Sequence, residues 1–208
     1  MPRLVLASAS PRRRELMLQA GIPCEILSPD VDESVEGSLS PAEMVRVLSE
    51  RKARRAGASL EKEARLSPEP VIIIAADTTV CTDGGRILGK PEDTAEAAEM
   101  LNMLQGRRHT VYTGVTLLRL RSAGGASAVH FVEAAEVFMR TLTENEIIAY
   151  IGTGEPMDKA GAYGIQGKGS LLIERVEGDY FTVVGLPMAR LCAELQKLGA
   201  DIFRWGGV

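Results

Sequence analysis

The sequence predicts a mixed α/β fold from three local patterns. First, the apolar run Leu4-Val5-Leu6-Ala7 leads directly into Ser8-Ala9-Ser10-Pro11, a strand followed at once by a helix start. Second, Val71-Ile72-Ile73-Ile74-Ala75-Ala76 is a continuous, mostly β-branched run, as a strand buried on both faces requires. Third, Thr110 to Leu120 and Val129 to Arg140 alternate as paired strands do, with Ser122-Ala123-Gly124-Gly125 as the turn between them. Helical segments separate these strands without a regular βαβ repeat, so the sheet is expected to carry antiparallel hairpins as well.

The remaining elements follow in order. Ser10 is placed to cap a helix from Pro11 to about Ala20, where Gly21 stops it. Pro23 to Leu27 reads as a second strand, and Ser28 to Ser38 as a loop carrying Asp30, Asp32, Glu33 and Glu36. Ser40-Pro41-Ala42-Glu43 is a capping box that opens a long, cation-rich helix to about Ala64. The run from Val71 ends at Ala76, which places Asp77-Thr78-Thr79 at the carboxyl end of its strand. Val80 to Leu88 forms a hairpin around Asp83-Gly84-Gly85. Asp93 or Thr94 caps a helix to Leu104, closed by Gly106. A second capping box, Thr143-Glu144-Asn145-Glu146, starts a short helix to about Ile151. Gly152 to Gly169 is long and glycine-rich, Leu171 to Val176 and Phe181 to Val184 read as strands, and Pro187 opens the last helix.

Composition narrows the function classes. The chain has 208 residues, 45% hydrophobic and 25% charged, enough for one domain with a substantial core. Its net charge of -4 provides no global basic surface for a nucleic acid, so the cationic long helix is not expected to track a polyanion. Cys24, Cys81 and Cys192 are far apart and lack C-x-x-C spacing, which disfavours a disulfide framework and a thiolate zinc site. The longest apolar run is too short to span a bilayer and the amino terminus lacks a secretory pattern, so a cytoplasmic protein is expected.

Candidate chemistry begins at Ser8-Ala9-Ser10-Pro11-Arg12-Arg13-Arg14. A helix N-terminus favours an anion through its unpaired N–H groups and dipole, and guanidinium forks add paired bonds to phosphate oxygens. The turn is either a phosphate site or a capped surface helix with solvated arginines. Asp77 is the leading catalytic candidate, because open α/β sheets place their sites at strand carboxyl ends. It suits a general base or a metal ligand, or it simply caps the next turn. Glu33 offers a second acid, while Lys52 and Lys90 offer charge for phosphate, against the alternative that all are solvated. The Gly152 to Gly169 segment brings Lys159 and Gln166 and lets backbone approach a ligand closely; otherwise it is a structural lid. His109 and His130 read as ordinary sheet residues.

Taken together these pieces resemble the Maf family of nucleoside triphosphate pyrophosphatases. The matching segments are Ser8-Ala9-Ser10-Pro11-Arg12-Arg13, Val31-Asp32-Glu33, Arg51-Lys52-Ala53, Ala76-Asp77-Thr78, Gly89-Lys90-Pro91, the Glu155 to Gly167 segment and Val184-Gly185-Leu186-Pro187. The resemblance implies a mixed twisted sheet flanked by helices, shared with inosine triphosphate pyrophosphatases, in one domain over residues 1–208 with a substrate cleft between two lobes. It implies hydrolysis of a nucleoside triphosphate to the monophosphate and pyrophosphate with a divalent cation, Mg²⁺ or Mn²⁺, held by Glu33 and Asp77. Ser8, Arg12, Arg13, Lys52, Lys90 and Lys159 would clamp phosphates, with Arg12 also implicated in substrate choice.

Thr78 and the Tyr163-Gly164-Ile165-Gln166-Gly167 run match the branch acting on dTTP and UTP. A uracil or thymine edge presents two carbonyls around one N–H, which the neutral amide of Gln166 can meet from both sides; a guanine edge suits a carboxylate better. Arg51 departs from the family pattern, which often has Glu before the lysine. The family often forms dimers, so a homodimer is an expectation too. The family's association with septum inhibition keeps a second reading in view, a nucleotide-sensing regulator with slow hydrolysis.

Overall fold

The computed structural model describes residues 1–34, 37–121 and 124–204. Among these residues seven strands form one sheet, in the order β2-β1-β3-β5-β6-β7, with β4 paired to β3. The strands are β1 (Arg3–Ala7), β2 (Glu25–Leu27), β3 (Val71–Thr82), β4 (Ile87–Leu88), β5 (Arg108–Leu120), β6 (Ala126–Met139) and β7 (Ile173–Glu177). β1 lies parallel to both β2 and β3, while β3–β4 and β6–β7 are antiparallel, so the sheet is mixed as expected. The helices are α1 (Pro11–Gln19), α2 (Pro41–Leu66), α3 (Thr94–Leu104), α4 (Glu144–Ile151), α5 (Tyr180–Val184) and α6 (Met188–Lys197). None of them is long and apolar enough to cross a membrane. The chain divides into two compact units, one of Met1–Asp77, Gly114–Val132 and Gly185–Val208, the other of Thr78–Thr113 and Glu133–Val184.

In the first unit α2 covers β1, β3 and β5. Ala53, Ala56 and Ala64 of α2 pack with Val5, Ala7, Val71, Ile73, Ala75, Leu118 and Leu120. Small residues on the helix allow a close approach, and Gly114 of β5 marks the tightest point. A Cβ there would stand 2.5 Å from the Val45 carbonyl oxygen, so even alanine would push the helix backbone away. The Ser40–Glu43 capping box closes reciprocally, as its spacing predicts. α1 ends through Gly21, at φ +64, with the Ile22 N–H returning to the Met17 carbonyl at 2.9 Å.

In the second unit α3 and α4 bury Ala97, Met100, Leu101, Leu104, Ile147 and Tyr150 against Val80, Leu88, Val111, Val137 and Met139. Asp93, not Thr94, caps α3, and the Thr143–Glu146 box caps α4. The Thr82–Arg86 backbone bond at 2.9 Å closes the predicted hairpin.

Several expectations need correction. β3 does not end at Ala76 but continues to Thr82, so Asp77 lies inside the strand. The Thr78-Thr79-Val80-Cys81-Thr82 stretch is itself mostly β-branched and extends the same pairing surface. Residues 181–184 are helical: Asp179 accepts from the Thr182 N–H at 3.0 Å and the Phe181 N–H at 3.2 Å, a cap that overrides the strand propensity of Phe-Thr-Val-Val. Ser10 holds the N-cap position of α1 without a side-chain cap bond. The glycine-rich 152–169 segment folds into short 3₁₀ turns at Glu155–Asp158, Ala160–Ala162 and Gly167–Leu172. Glu36 and the Ser122-Ala123 part of the predicted turn lie outside the described residues.

His109 is more than an ordinary sheet residue. It is fully buried on β5 with Nε2 2.6 Å from the Tyr163 hydroxyl, and its Nδ1 has no partner among the described residues. Burial pushes the imidazole down to about 4. The unfolded chain therefore binds a proton between pH 6.5 and 4 that the folded chain refuses. The stability due to neutral His109 is complete above pH 6.5 and disappears as pH falls through the folded value. The expected loss is about 3 kcal/mol from pH 7 to 4, beyond that of a His109→Phe variant, read from urea unfolding at both pH values. Equal losses in the two proteins would contradict it.

Candidate active site

The first unit gathers the acids and most of the arginines. Lys52 of α2 places its Nζ 2.6 Å from Asp77 Oδ1 and 2.7 Å from Glu33 Oε1, so one ammonium links both carboxylates. Asp77 is 8% exposed, whereas Glu33 sits on the exposed loop after β2. A buried carboxylate held by an ion pair is fixed in direction, and Asp77 is additionally fixed by the strand that carries it. The two acids converge on one ammonium. Among the described residues no group of three or more His, Cys, Asp or Glu side chains is placed to hold a metal.

Arg13 turns inward from α1. With Leu16 and Met17 it forms the buried face of the helix, at i, i+3 and i+4. Its Nε donates to the Gly185 carbonyl at 2.7 Å, and its Nη1 donates to the Ala76 carbonyl at 2.8 Å and to Ser8 Oγ at 3.3 Å. Burial depresses the guanidinium, the Asp77 charge opposes this, and neighbouring Arg12 adds to it. Arg13 thus ties the turn after β1, the loop before α6 and the peptide preceding Asp77 to one charged group. Ser8 Oγ also accepts from the Ser10 N–H at 3.2 Å, which folds the Ser8-Ala9-Ser10 turn over the start of α1.

The second unit holds the other candidates. Thr113 donates its hydroxyl to the Thr182 carbonyl at 2.7 Å, so in the 2.9 Å contact between the Thr78 and Thr113 hydroxyls Thr78 is the donor. The Thr78 proton is thereby committed, and toward any further partner its oxygen accepts. Lys90 is exposed, and the adjoining Gly89 carbonyl accepts from the Gly161 N–H at 3.0 Å. Lys159 is held locally, by Asp158 Oδ1 at 2.6 Å and by the Glu155 carbonyl at 2.5 Å. The Gln166 amide is half-buried and makes no hydrogen bond among the described residues.

Sequence reasoning missed Glu155 as the residue that organises this segment. Its carboxylate accepts from the Tyr150 hydroxyl at 3.1 Å, the Lys168 N–H at 3.1 Å and the Gly169 N–H at 3.0 Å. Burial works to raise its carboxyl, but these donors outweigh burial and hold it below the ordinary value. The Tyr150 hydroxyl also accepts from the Gly164 N–H at 3.2 Å, so the stretch around Gln166 is pinned on both sides. Glu155 stands out in the sequence only as the first residue of the family-like segment; its partners 13 and 14 residues later have no local signature.

A family model described as Maf-like protein matches residues 3–198. The chain belongs to the Maf family. Among curated relatives, a dTTP/UTP pyrophosphatase of Moorella thermoacetica is 48% identical over 208 residues, all of both chains. One from Pelotomaculum thermopropionicum is 47% identical over 97% of this chain and 100% of the relative. One from Bacillus cytotoxicus is 46% identical over 95% and 96%. Solved structures align more distantly. The Staphylococcus aureus Ham1 protein gives a TM-score of 0.45 at 15% identity over 94% of this chain and 99% of its own. A dITP/XTP pyrophosphatase from Mycobacterium abscessus gives 0.39 at 14% identity over 99% and 100%.

Proposed function

We propose that this chain hydrolyses dTTP and UTP to the nucleoside monophosphate and pyrophosphate. The observation that carries the reading is the Asp77–Lys52–Glu33 cluster beside the Arg13-bound turn, in a Maf chain nearly half identical to proteins named for this reaction. Water attacks the α-phosphorus, the bond from that phosphorus to the bridging oxygen of the β-phosphate breaks, and pyrophosphate leaves. Asp77 orients the water and takes its proton. Lys52 holds Asp77 and Glu33 in one arrangement. Ser8 and Arg12, at the start of α1, and the exposed Lys90 bind phosphate oxygens. Arg13 adds its charge while holding the turn in shape, and Lys159, tied to Asp158, contributes charge from within the glycine-rich segment.

Glu33 and Asp77 would hold the divalent ion, Mg²⁺ or Mn²⁺, that the family resemblance implies. Their convergence on a single ammonium fits an ion bound by one or two carboxylates and completed by substrate phosphates. When bound, such an ion neutralises phosphate charge and polarises the phosphoryl oxygen.

Gln166 and Thr78 read the base. The Thr78 oxygen, with its own proton committed to Thr113, suits the one N–H on a uracil or thymine edge; the Gln166 amide, without a hydrogen bond among the described residues, suits the flanking carbonyls. The test is pyrophosphate release from a panel of UTP, dTTP, CTP, ATP and GTP at fixed Mg²⁺. UTP and dTTP are expected to exceed GTP at least tenfold in kcat/KM, and Gln166→Glu to lower kcat/KM for UTP about a hundredfold while pyrophosphate inhibition stays within about threefold. An unchanged UTP preference in Gln166→Glu removes that residue from base reading. A flat panel removes the pyrimidine assignment.

A further inference from the structure

Glu33 poses a positional problem. It lies on a segment without regular secondary structure, its side chain is 54% exposed, and yet its carboxylate meets Lys52 at 2.7 Å. An acid on a free loop would sample many positions, and a site misplaced by about 1 Å can lose a hundredfold in rate. Arg51 supplies the constraint. Its Nη1 donates to the Asp32 carbonyl at 3.2 Å and to the Ser34 carbonyl at 2.6 Å, the residues on either side of Glu33. The Asp32 side chain closes the same turn by accepting the Ser34 N–H at 2.8 Å. Arg51 and Lys52 are consecutive in α2, and α2 is seated on the sheet through Gly114. One helical turn therefore grips the loop twice, Arg51 by its backbone and Lys52 by its acid.

We propose that Arg51 is a positioning residue that sets the Glu33 carboxylate against Lys52 and Asp77. The proposal rests on the reading above in which Glu33 acts in the reaction. Arg51 itself touches no reacting atom. A half-buried arginine on loop carbonyls adds little to global stability, so its removal acts on the reaction through Glu33.

The experiment combines Arg51→Ala and Arg51→Lys with Glu33→Gln, using UTP as the probe. Arg51→Ala is expected to lower kcat about tenfold with KM within about twofold, and Arg51→Lys to recover part of the loss. In the Glu33→Gln background Arg51→Ala should cost less than about twofold more, because its effect passes through the missing carboxylate. A tenfold loss in both backgrounds, or an unchanged kcat in Arg51→Ala, overturns the proposal. Amide exchange at residues 32–34 supplies an arm independent of activity: it should accelerate in Arg51→Ala, and an unchanged rate overturns the clamp. Absence of UTP hydrolysis in the wild-type chain would instead defeat the functional reading, and the exchange arm would still decide whether Arg51 holds the loop.

Discussion

Asp77→Asn is expected to lower kcat for UTP by about 10²–10⁴-fold while the protein stays folded. The substitution keeps shape and an oxygen for the Lys52 bond at 2.6 Å, and Lys52 retains Glu33 at 2.7 Å as its partner. The change therefore removes the proposed base and its charge but little of the packing. Pyrophosphate release at saturating substrate measures the loss, and circular dichroism checks the fold. Were Asp77 only a counter-ion for Lys52, Asn would cost less than about tenfold. That outcome would return Asp77 to the role of a strand residue with a structural ion pair.

Arg13→Met is expected to lower the unfolding free energy by about 4 kcal/mol, because bonds from a charged donor to buried carbonyls are worth about 1.5–3 kcal/mol each and do not add fully. Methionine fills much of the volume but leaves the Gly185 and Ala76 carbonyls without their donor at a buried position. Arg13→Lys should recover only part of the loss, since one ammonium cannot reproduce the Nε and Nη1 directions together. Activity should fall in both variants, as the Ala76 peptide precedes Asp77. Urea unfolding measures the stability change. A loss under about 1 kcal/mol would make Arg13 a solvated phosphate ligand, not an internal brace.

Both expectations depend on features that are unequally visible in the residue order. The capping boxes at Ser40 and Thr143, the Asp83-Gly84-Gly85 turn and the Val71 run are local, and their physics is complete within a few residues. The inward turn of Arg13 is not legible in the sequence, which offers it as a phosphate ligand or a solvated arginine; its place on the buried face with Leu16 and Met17 comes from the folded chain. Where a reading failed, a distant or competing partner decided the outcome. Asp179 capped residues 180–184 into a helix against their β-branched propensity. Glu155 and Arg51 act on backbone atoms whose positions only the folded chain defines. The residues of the candidate site were found largely by family resemblance; their pairings, above all Lys52 between two acids, come from the folded structure.

Attack of water on the α-phosphorus, prepared by Asp77, underlies the proposed reaction. Hydrolysis of UTP in ¹⁸O-labelled water, with mass analysis of both products, tests it most directly. One ¹⁸O atom is expected in the uridine monophosphate and none in the pyrophosphate. Label in the pyrophosphate, or release of single phosphate groups, would contradict it.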